Sequence, residues 1–367
     1  MKYITDDTRI AGQEEVIAPA DLVAELPVSE RSSKVVFEAR QQIRDMLRGH
    51  DSRLLVIIGP CSIHDPKAAL VYAERLHEQA VRFENELLIV MRVYFEKPRT
   101  IIGWKGLLND PHLNDSCDIN EGLRRGRALL RDITELGLPS GTEYLDPISP
   151  QYLGDTVSWA AIGARTTESQ VHRQLASGLS CPVGFKNSTQ GDIQIAVDAV
   201  RSAWHPHVFL SVTKHGHSAI FSTTGNDDCH VILRGGGGRT NFDADSMDAC
   251  AERLRSADLP TRLMVDMSHA NSEKQYKRQL DVCDALCGYL KEGGQHLMGV
   301  MIESNLVEGK QTLEKREDLV FGQSITDACL GWDDSLVCLE KLASAVSARR
   351  TAGPSSPPSQ SHSDERP

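Results

Sequence analysis

The sequence predicts an α/β fold of the (β/α)8 TIM-barrel class, with an N-terminal extension and an inserted β-hairpin. Three observations carry that expectation. Eight short apolar runs recur along the chain without the alternation of a half-exposed strand, as expected of strands buried on both faces of a parallel sheet. Segments with apolar residues at helical spacing lie between them. A polar residue stands at or just after the end of each run: Cys61, Arg92, Glu143, Arg165, Lys186, Arg234, His269 and Glu303. In a barrel those strand ends share one rim, where residues far apart in sequence converge on a single pocket. A doubly wound open sheet is the competing layout, and the phase of these polar residues favours the barrel.

Residues 1–28 carry few long apolar runs and read as an extended arm that needs another surface to pack on, such as a neighbouring subunit. Ser32 or Ser33 is expected to cap a helix through Leu47, closed by Gly49, with Val36, Ala39, Ile43 and Leu47 on its apolar face. Residues 1–50 are thus expected to form an arm and helix ahead of a barrel over 51–350. The first strand, 54–58, stops at Gly59-Pro60, and Asp65-Pro66 opens a helix to about Phe83 as cap and first-turn proline. The second strand, 87–91, ends at Arg92; a helix over 119–136 follows, closed by Gly137. Further strands are expected at 140–144, 159–163 and 182–185, with helices at 168–177 and 193–204. Residues 208–222 break the rhythm and read as a hairpin inserted before the sixth strand, 230–233. Strands seven and eight fall at 264–266 and 299–302, and the last helix at 334–348. Residues 351–367, rich in Ser and Pro, are expected to be a disordered tail.

The 367 residues are 40% hydrophobic and 25% charged, enough for one sizeable core. A net charge of -11 argues against a nucleic-acid or membrane-surface protein, because the cations cluster locally against an acidic background. The first ten residues are polar and no apolar run is long enough to span a bilayer, so a cytoplasmic protein is expected. Nine cysteines without a CxxC pair fit reduced thiols.

Residues 90–106 set down Arg92, Glu96, Lys97, Arg99 and Lys105 around Pro98, at a strand's C-terminal end. Arg offers planar bidentate contacts and Lys a mobile point charge, so this loop suits phosphate or carboxylate groups. Arg92, Lys97, Arg165, Lys186 and Arg234 on one rim would repel one another without an anionic ligand, and a small polyanion neutralises them most simply. Gly235–Gly238 stands beside them as a source of backbone donors or, lacking nucleotide-loop spacing, as a flexible connection. Cys61, His269, Glu303 and Asp327 fall on neighbouring strands of a closed barrel. One thiolate, one imidazole and two carboxylates suit a divalent ion such as Mn, Fe, Co or Zn. The plainer readings are a solvated basic loop, an inert buried thiol at Cys61 and a helix cap at Asp327.

Several long motifs in order resemble the class I 3-deoxy-D-arabino-heptulosonate 7-phosphate (DAHP) synthases of the feedback-regulated enterobacterial and fungal type. They are Gly59-Pro60-Cys61-Ser62-Ile63-His64-Asp65, residues 91–100 with Gly103-Trp104-Lys105-Gly106, Gly163-Ala164-Arg165-Thr166-Thr167-Glu168-Ser169-Gln170, and residues 182–187, 230–236, 268–271 and 324–329. The resemblance implies a metal-dependent condensation of phosphoenolpyruvate with erythrose 4-phosphate, releasing phosphate, as the first step of the shikimate pathway. It places Arg92, Arg165, Lys186 and Arg234 on phosphoenolpyruvate, Lys97 between the substrates, and Arg99 and Thr100 on the aldose phosphate. Cys61, His269, Glu303 and Asp327 match the metal ligands. Glu143, His269 and Lys97 become candidates for positioning a water or moving its proton. The chain departs from the family at 236–242, where relatives carry a shorter glycine–lysine stretch, and at His215, where an aromatic is common.

In that family the arm and hairpin help form a pocket for an aromatic amino acid at a subunit interface. Matching positions are Asp7, Pro150, Gln151, Leu175, Leu179, Ser180, Phe209 and Ser211. Ser180 and Ser211 favour phenylalanine as effector, while residues 145–147 and 152–154 look like the tyrosine-sensitive type; interface packing with no effector is the plain alternative. A homodimer or homotetramer is implied. The rival functions are an octulosonate 8-phosphate synthase, whose relatives carry Lys-Ala-Asn-Arg-Ser where this chain has Lys97-Pro98-Arg99-Thr100, and a noncatalytic phosphosugar-binding barrel.

Overall fold

The computed structural model describes residues 3–99, 103–314 and 316–352. The first helix, α1 (Pro19–Glu25), precedes α2 (Glu30–Arg48). Then follow β1 (Leu54–Gly59), α3 (Pro66–Arg82), β2 (Leu87–Arg92), α4 (Ile119–Leu136), β3 (Ser140–Glu143), α5 (Pro150–Leu153), β4 (Trp159–Ile162), α6 (Gln170–Gly178) and β5 (Val183–Lys186). After α7 (Gln194–Ala203) come the hairpin strands β6 (Val208–Val212) and β7 (Ser218–Ser222), and then β8 (Cys229–Leu233), α8 (Ala244–Ser256), β9 (Leu263–Asp266) and α9 (Gln279–Lys291). The chain closes with β10 (Leu297–Glu303), β11 (Val307–Lys310), β12 (Gln323–Ser324) and α10 (Trp332–Ala352).

The sheet is a closed barrel in the order β1-β10-β9-β8-β5-β4-β3-β2, every pair parallel. Pairing of β1 with β10 sets Gly59 opposite Glu303, which brings the first and eighth strand ends to one level. Leu55 and Ile57 point into the barrel with Val90, Trp159, Ile232 and Met301, whereas Leu54, Val56 and Ile58 face the helices. Both faces of β1 are therefore buried, which is why its sequence shows no alternation. The hairpin pairs only with itself, Leu210 opposite Ile220, and stands outside the barrel.

Local signals account for several helix ends. Asp65 accepts from the Lys67 amide at 2.8 Å with Pro66 next, and Gly137 closes α4 in the left-handed region. The α2 cap differs from expectation: Ser29, not Ser32 or Ser33, accepts from the Ser32 amide at 3.0 Å. Ser32 is the third helical residue, and its hydroxyl goes to Glu135 at 2.9 Å. Gly49 ends α2 as expected, at φ 80°. Ile43, Met46 and Leu47 join the inner core, so α2 stoppers the N-terminal end of the barrel. Arg44 fixes it there by an ion pair to Asp228 at 2.7 Å.

Two further expectations need correction. The arm is not extended throughout, because Pro19 starts α1 and Leu22 is buried against the barrel. Ile17 and Leu26 bracket that helix with hydrogen bonds to Asn120, Tyr152 and Arg127, so this part packs on its own chain. The last helix runs on through Ala352, tied by Arg349 to the Ser52 carbonyl at 2.6 Å, so residues 351 and 352 belong to it; the rest of the expected tail lies outside the described residues. The ribbon of β11 and β12, polar and short, had no pattern to announce it. Among the described residues no helix is long and apolar enough to cross a membrane.

Candidate active site

A cavity of about 350 Å³ opens at the C-terminal mouth of the barrel, lined by Arg92, Lys97, Arg99, Glu143, Arg165, Lys186, Arg234, His269 and Asp327 among others. The strand ends therefore converge as expected of a shared rim. Thr100 lies outside the described residues.

Each cation is held differently. Arg92, 1% exposed, ends β2 and gives its guanidinium to the Pro60 carbonyl (3.1 Å), the Cys61 carbonyl (3.2 Å) and Glu303 (3.0 Å), lying 3.5 Å above the Tyr94 ring. Lys186 ends β5 and pairs with buried Asp266 at 2.9 Å. Lys97 donates to the Cys61 sulfur at 3.0 Å. Its loop doubles back so that the Lys97 amide meets the Lys105 carbonyl at 2.9 Å. Gly106 makes that turn possible: at φ 118° a Cβ would sit 1.9 Å from the Phe95 oxygen. Arg99 is exposed and bonds the Trp104 carbonyl at 2.8 Å. Arg165 is also exposed and, among the described residues, reaches only the Pro98 carbonyl, at 3.4 Å. The Nε of Arg234 is buried with no hydrogen-bond partner, and burial lowers that guanidinium's pKa. Arg165 and Arg234 are thus the guanidiniums least satisfied by protein. The glycine run adds little: the amides of Gly235, Gly236 and Gly237 bond Asn241, Arg239 and Thr189 within the fold.

Beside the cations, ligand atoms of Cys61, Glu303 and Asp327 all lie within 4.8 Å of one another. Donors bonded to one ion at 2.0–2.3 Å span such distances. His269 stands at the edge of this group. Its Nδ1 faces Asp266 at 2.8 Å and the Ser268 hydroxyl at 2.7 Å, while its Nε2 is 3.9 Å from Glu303. A carboxylate on one ring nitrogen leaves the other available as a ligand. Burial, followed by Glu303, raises the Cys61 thiol pKa, although Lys97 pulls it down. Desolvation works to raise Asp327, yet Lys97 and His269 bring it below its ordinary value. A buried thiol between two carboxylates is costly as a trio of anions and fits a bound dication, so the donor set suits a divalent metal.

Sequence reasoning missed three residues here. Asp266 is the last residue of β9 and holds both Lys186 and His269, which keep its carboxyl well below the usual range despite burial. It was legible as a strand end but was passed over for His269. Lys310, on β11, lines the cavity, and no sequence signal placed it there. Glu96, 5% exposed, accepts from the amides of Leu145 (3.4 Å) and Asp146 (3.2 Å) and from the Ser149 hydroxyl (3.3 Å), joining the Lys97 loop to the segment before α5.

Burial, then Asp146, raises Glu96 from 4.5 to about 7. The folded protein therefore keeps a proton that the unfolded chain releases between those values, and stability falls as pH rises through that window. Glu96→Gln is expected to gain about 2–3 kcal/mol relative to wild type between pH 5 and pH 8. Denaturant midpoints at the two pH values check this, and parallel curves for the two proteins would contradict it.

The positions matched to an effector pocket fall on or just beyond three elements and on the arm. Pro150 and Gln151 begin α5, and the Gln151 carbonyl takes a hydrogen bond from Lys214 of the hairpin. Leu175 is buried in α6, with Leu179 and Ser180 just beyond it; Ser177 and Thr223 tie α6 to the hairpin base at 2.7 Å. Phe209 and Ser211 lie on β6, the Phe209 ring stacked on Phe221. Asp7 is exposed on the arm, and its carbonyl accepts from Ile10.

The DAHP synthetase I family matches residues 25–340. The Phe-sensitive phospho-2-dehydro-3-deoxyheptonate aldolase of Escherichia coli (strain K12) is 56% identical over 350 residues, covering 95% of this chain and 100% of its own. A Trp-sensitive phospho-2-dehydro-3-deoxyheptonate aldolase of Enterobacter agglomerans is 54% identical over 345 residues, with 94% and 99% covered. The solved structure of the aldolase from Francisella tularensis SCHU S4 superimposes with a TM-score of 0.91 at 50% identity, covering 93% of this chain and 100% of that one. Matched over most of its length by family, relatives and fold alike, the chain belongs to the DAHP synthetase I family.

Proposed function

We infer that the protein is a DAHP synthase, joining phosphoenolpyruvate to erythrose 4-phosphate with loss of phosphate, the first step of the shikimate pathway. The observation that carries this reading is one barrel mouth where under-satisfied guanidiniums stand beside a metal-sized donor cluster of one thiol and two carboxylates. Cys61, Glu303 and Asp327, with His269 turning its Nε2 toward them, would hold a divalent ion. Such an ion supplies Lewis acidity toward the aldehyde oxygen.

The protein's own groups do the rest. Arg165, Arg234 and Lys186 bind the phosphate and carboxylate of phosphoenolpyruvate, and Arg92 buttresses Glu303 while facing the same space. Fixed cations in a partly dried site stabilise charge as phosphate leaves, without reorganisation. Lys97, which bonds Cys61 and lines the cavity, would act between the two substrates, with Arg99 on the aldose phosphate; Thr100, matched to the same group by the family resemblance, lies outside the described residues. The enol C3 attacks the aldehyde carbon, water adds at C2, and the C–O bond to phosphate breaks. Glu143, on β3 at the cavity wall, is placed to position that water or take its proton. Asp266 orients Lys186 and the His269 ring.

Phosphate release tests the reading. It is expected only with both substrates present and is abolished by a chelator. Release with arabinose 5-phosphate in place of erythrose 4-phosphate would indicate an octulosonate 8-phosphate synthase, and binding without release a noncatalytic barrel.

Feedback inhibition by an aromatic amino acid, phenylalanine first, is proposed to act through the matched positions on α5, α6 and the hairpin. Ser180 and Ser211 support that choice; inhibition by each aromatic amino acid in turn decides it. The outer hairpin face exposes Val208 (65%), Leu210 (82%) and Ile220 (73%), an apolar surface suited to a second copy of the chain. Sedimentation is expected to show a homodimer or homotetramer.

A further inference from the structure

One cation of the cavity has no part in the roles assigned so far. Lys310 ends β11 and lines the mouth, yet among the described residues its ammonium has neither an ion pair nor a hydrogen bond. Arg92, Lys186 and Lys97 are each engaged by an acidic group or a thiol, so their charge is partly spent inside the protein. The charge of Lys310 acts on Asp327, helping to hold that carboxyl below its ordinary value.

Its backbone is nevertheless firmly placed. Lys310 pairs with Ser324 across the β11–β12 ribbon, the next amide bonds the Ser324 carbonyl at 2.8 Å, and the preceding Gly309 exchanges hydrogen bonds with Cys329. The ribbon thus grips both sides of the segment that carries Asp327. A long, mobile side chain on a fixed backbone suits capture of an exposed anion.

The strand order decides which anion. Loops after β10, β1 and β2 are consecutive round the rim, and they carry Lys310, Cys61 and Arg99. Loops and ends of β4, β5 and β8, carrying Arg165, Lys186 and Arg234, occupy the opposite arc. Arg165 reaches across to the Pro98 carbonyl beside Arg99, so the two arcs meet there, while the donor cluster of Cys61, Glu303 and Asp327 lies on the Lys310 side.

We propose that Lys310 binds the phosphate of the aldose substrate together with Arg99 and so sets the affinity for that substrate. The inference rests on the DAHP synthase reading. Steady-state kinetics of Lys310→Gln, Lys310→Glu and Lys310→Arg test it. A charge-assisted hydrogen bond to phosphate corresponds to about a 10-fold rise in KM for erythrose 4-phosphate in Lys310→Gln. Charge reversal is expected to raise it further and Arg to restore most of it, while KM for phosphoenolpyruvate stays within about twofold. An unchanged KM for erythrose 4-phosphate, or a rise confined to phosphoenolpyruvate, overturns the proposal. Absence of wild-type turnover with both substrates is a different result: it removes the functional reading and this inference with it.

Discussion

Cys61→Ala is expected to lower metal-dependent turnover by about 10³-fold or more while the barrel stays folded. The thiol is fully buried one residue beyond the Gly59-Pro60 turn, with Lys97 at 3.0 Å and Asp327 at 3.5 Å. Removing it takes one donor from a group of three and leaves only carboxylates with His269 at their edge. A poorly seated ion loses several kcal/mol of charge stabilisation, which is the basis of the expected factor. The cost to folding is smaller, roughly 1–2 kcal/mol for one buried sulfur. Calorimetric titration of the metal-free variant separates the effects: metal affinity should fall while the thermal transition remains cooperative. Comparable turnover with metal bound would show that Cys61 is a packing residue.

Arg92→Ala is expected to cost about 3–5 kcal/mol of stability as well as activity. Its guanidinium pairs with Glu303 at 3.0 Å, where neither side chain is more than 3% exposed. Deleting one partner of a buried pair leaves the other charge uncompensated, and here it also frees the Pro60 and Cys61 carbonyls. Stacking on Tyr94 would be lost too, which Arg92→Lys cannot fully replace. Denaturant unfolding without metal gives the magnitude. Added divalent ion should reduce the deficit, because it supplies a second counter-charge to Glu303. A variant as stable as wild type would mean that Glu303 needs no guanidinium to remain buried.

Much of the barrel was legible because burial on both faces leaves a mark in composition. Leu54, Leu55, Val56, Ile57 and Ile58 have no polar residue among them, and all are buried. Caps such as Asp65 and Gly137 are equally local, since each depends on one side chain or one φ angle. What failed to show was structure made by distant partners. Helix α1 exists because Leu22 finds the barrel and Tyr152 reaches Ile17, and neither fact is written within Pro19–Glu25. Ser29 caps α2, and both it and Ser32 bond Glu135, a partner more than a hundred residues away that the local sequence does not announce. In the site, residues at strand ends could be read from phase alone. Glu96 could not, because its environment is assembled from residues 145–149, nor could Lys310, whose ribbon pairs a four-residue strand with a two-residue one and has no apolar pattern.

Crystals grown with manganese and phosphoenolpyruvate, and read by anomalous scattering, give the most direct test of a shared mouth holding ion and anion together. The expected result is one strong peak bonded to Cys61, His269, Glu303 and Asp327, with the ligand's phosphate against Arg165 and Arg234. A peak bonded elsewhere, or phosphoenolpyruvate bound away from those two arginines, would contradict it.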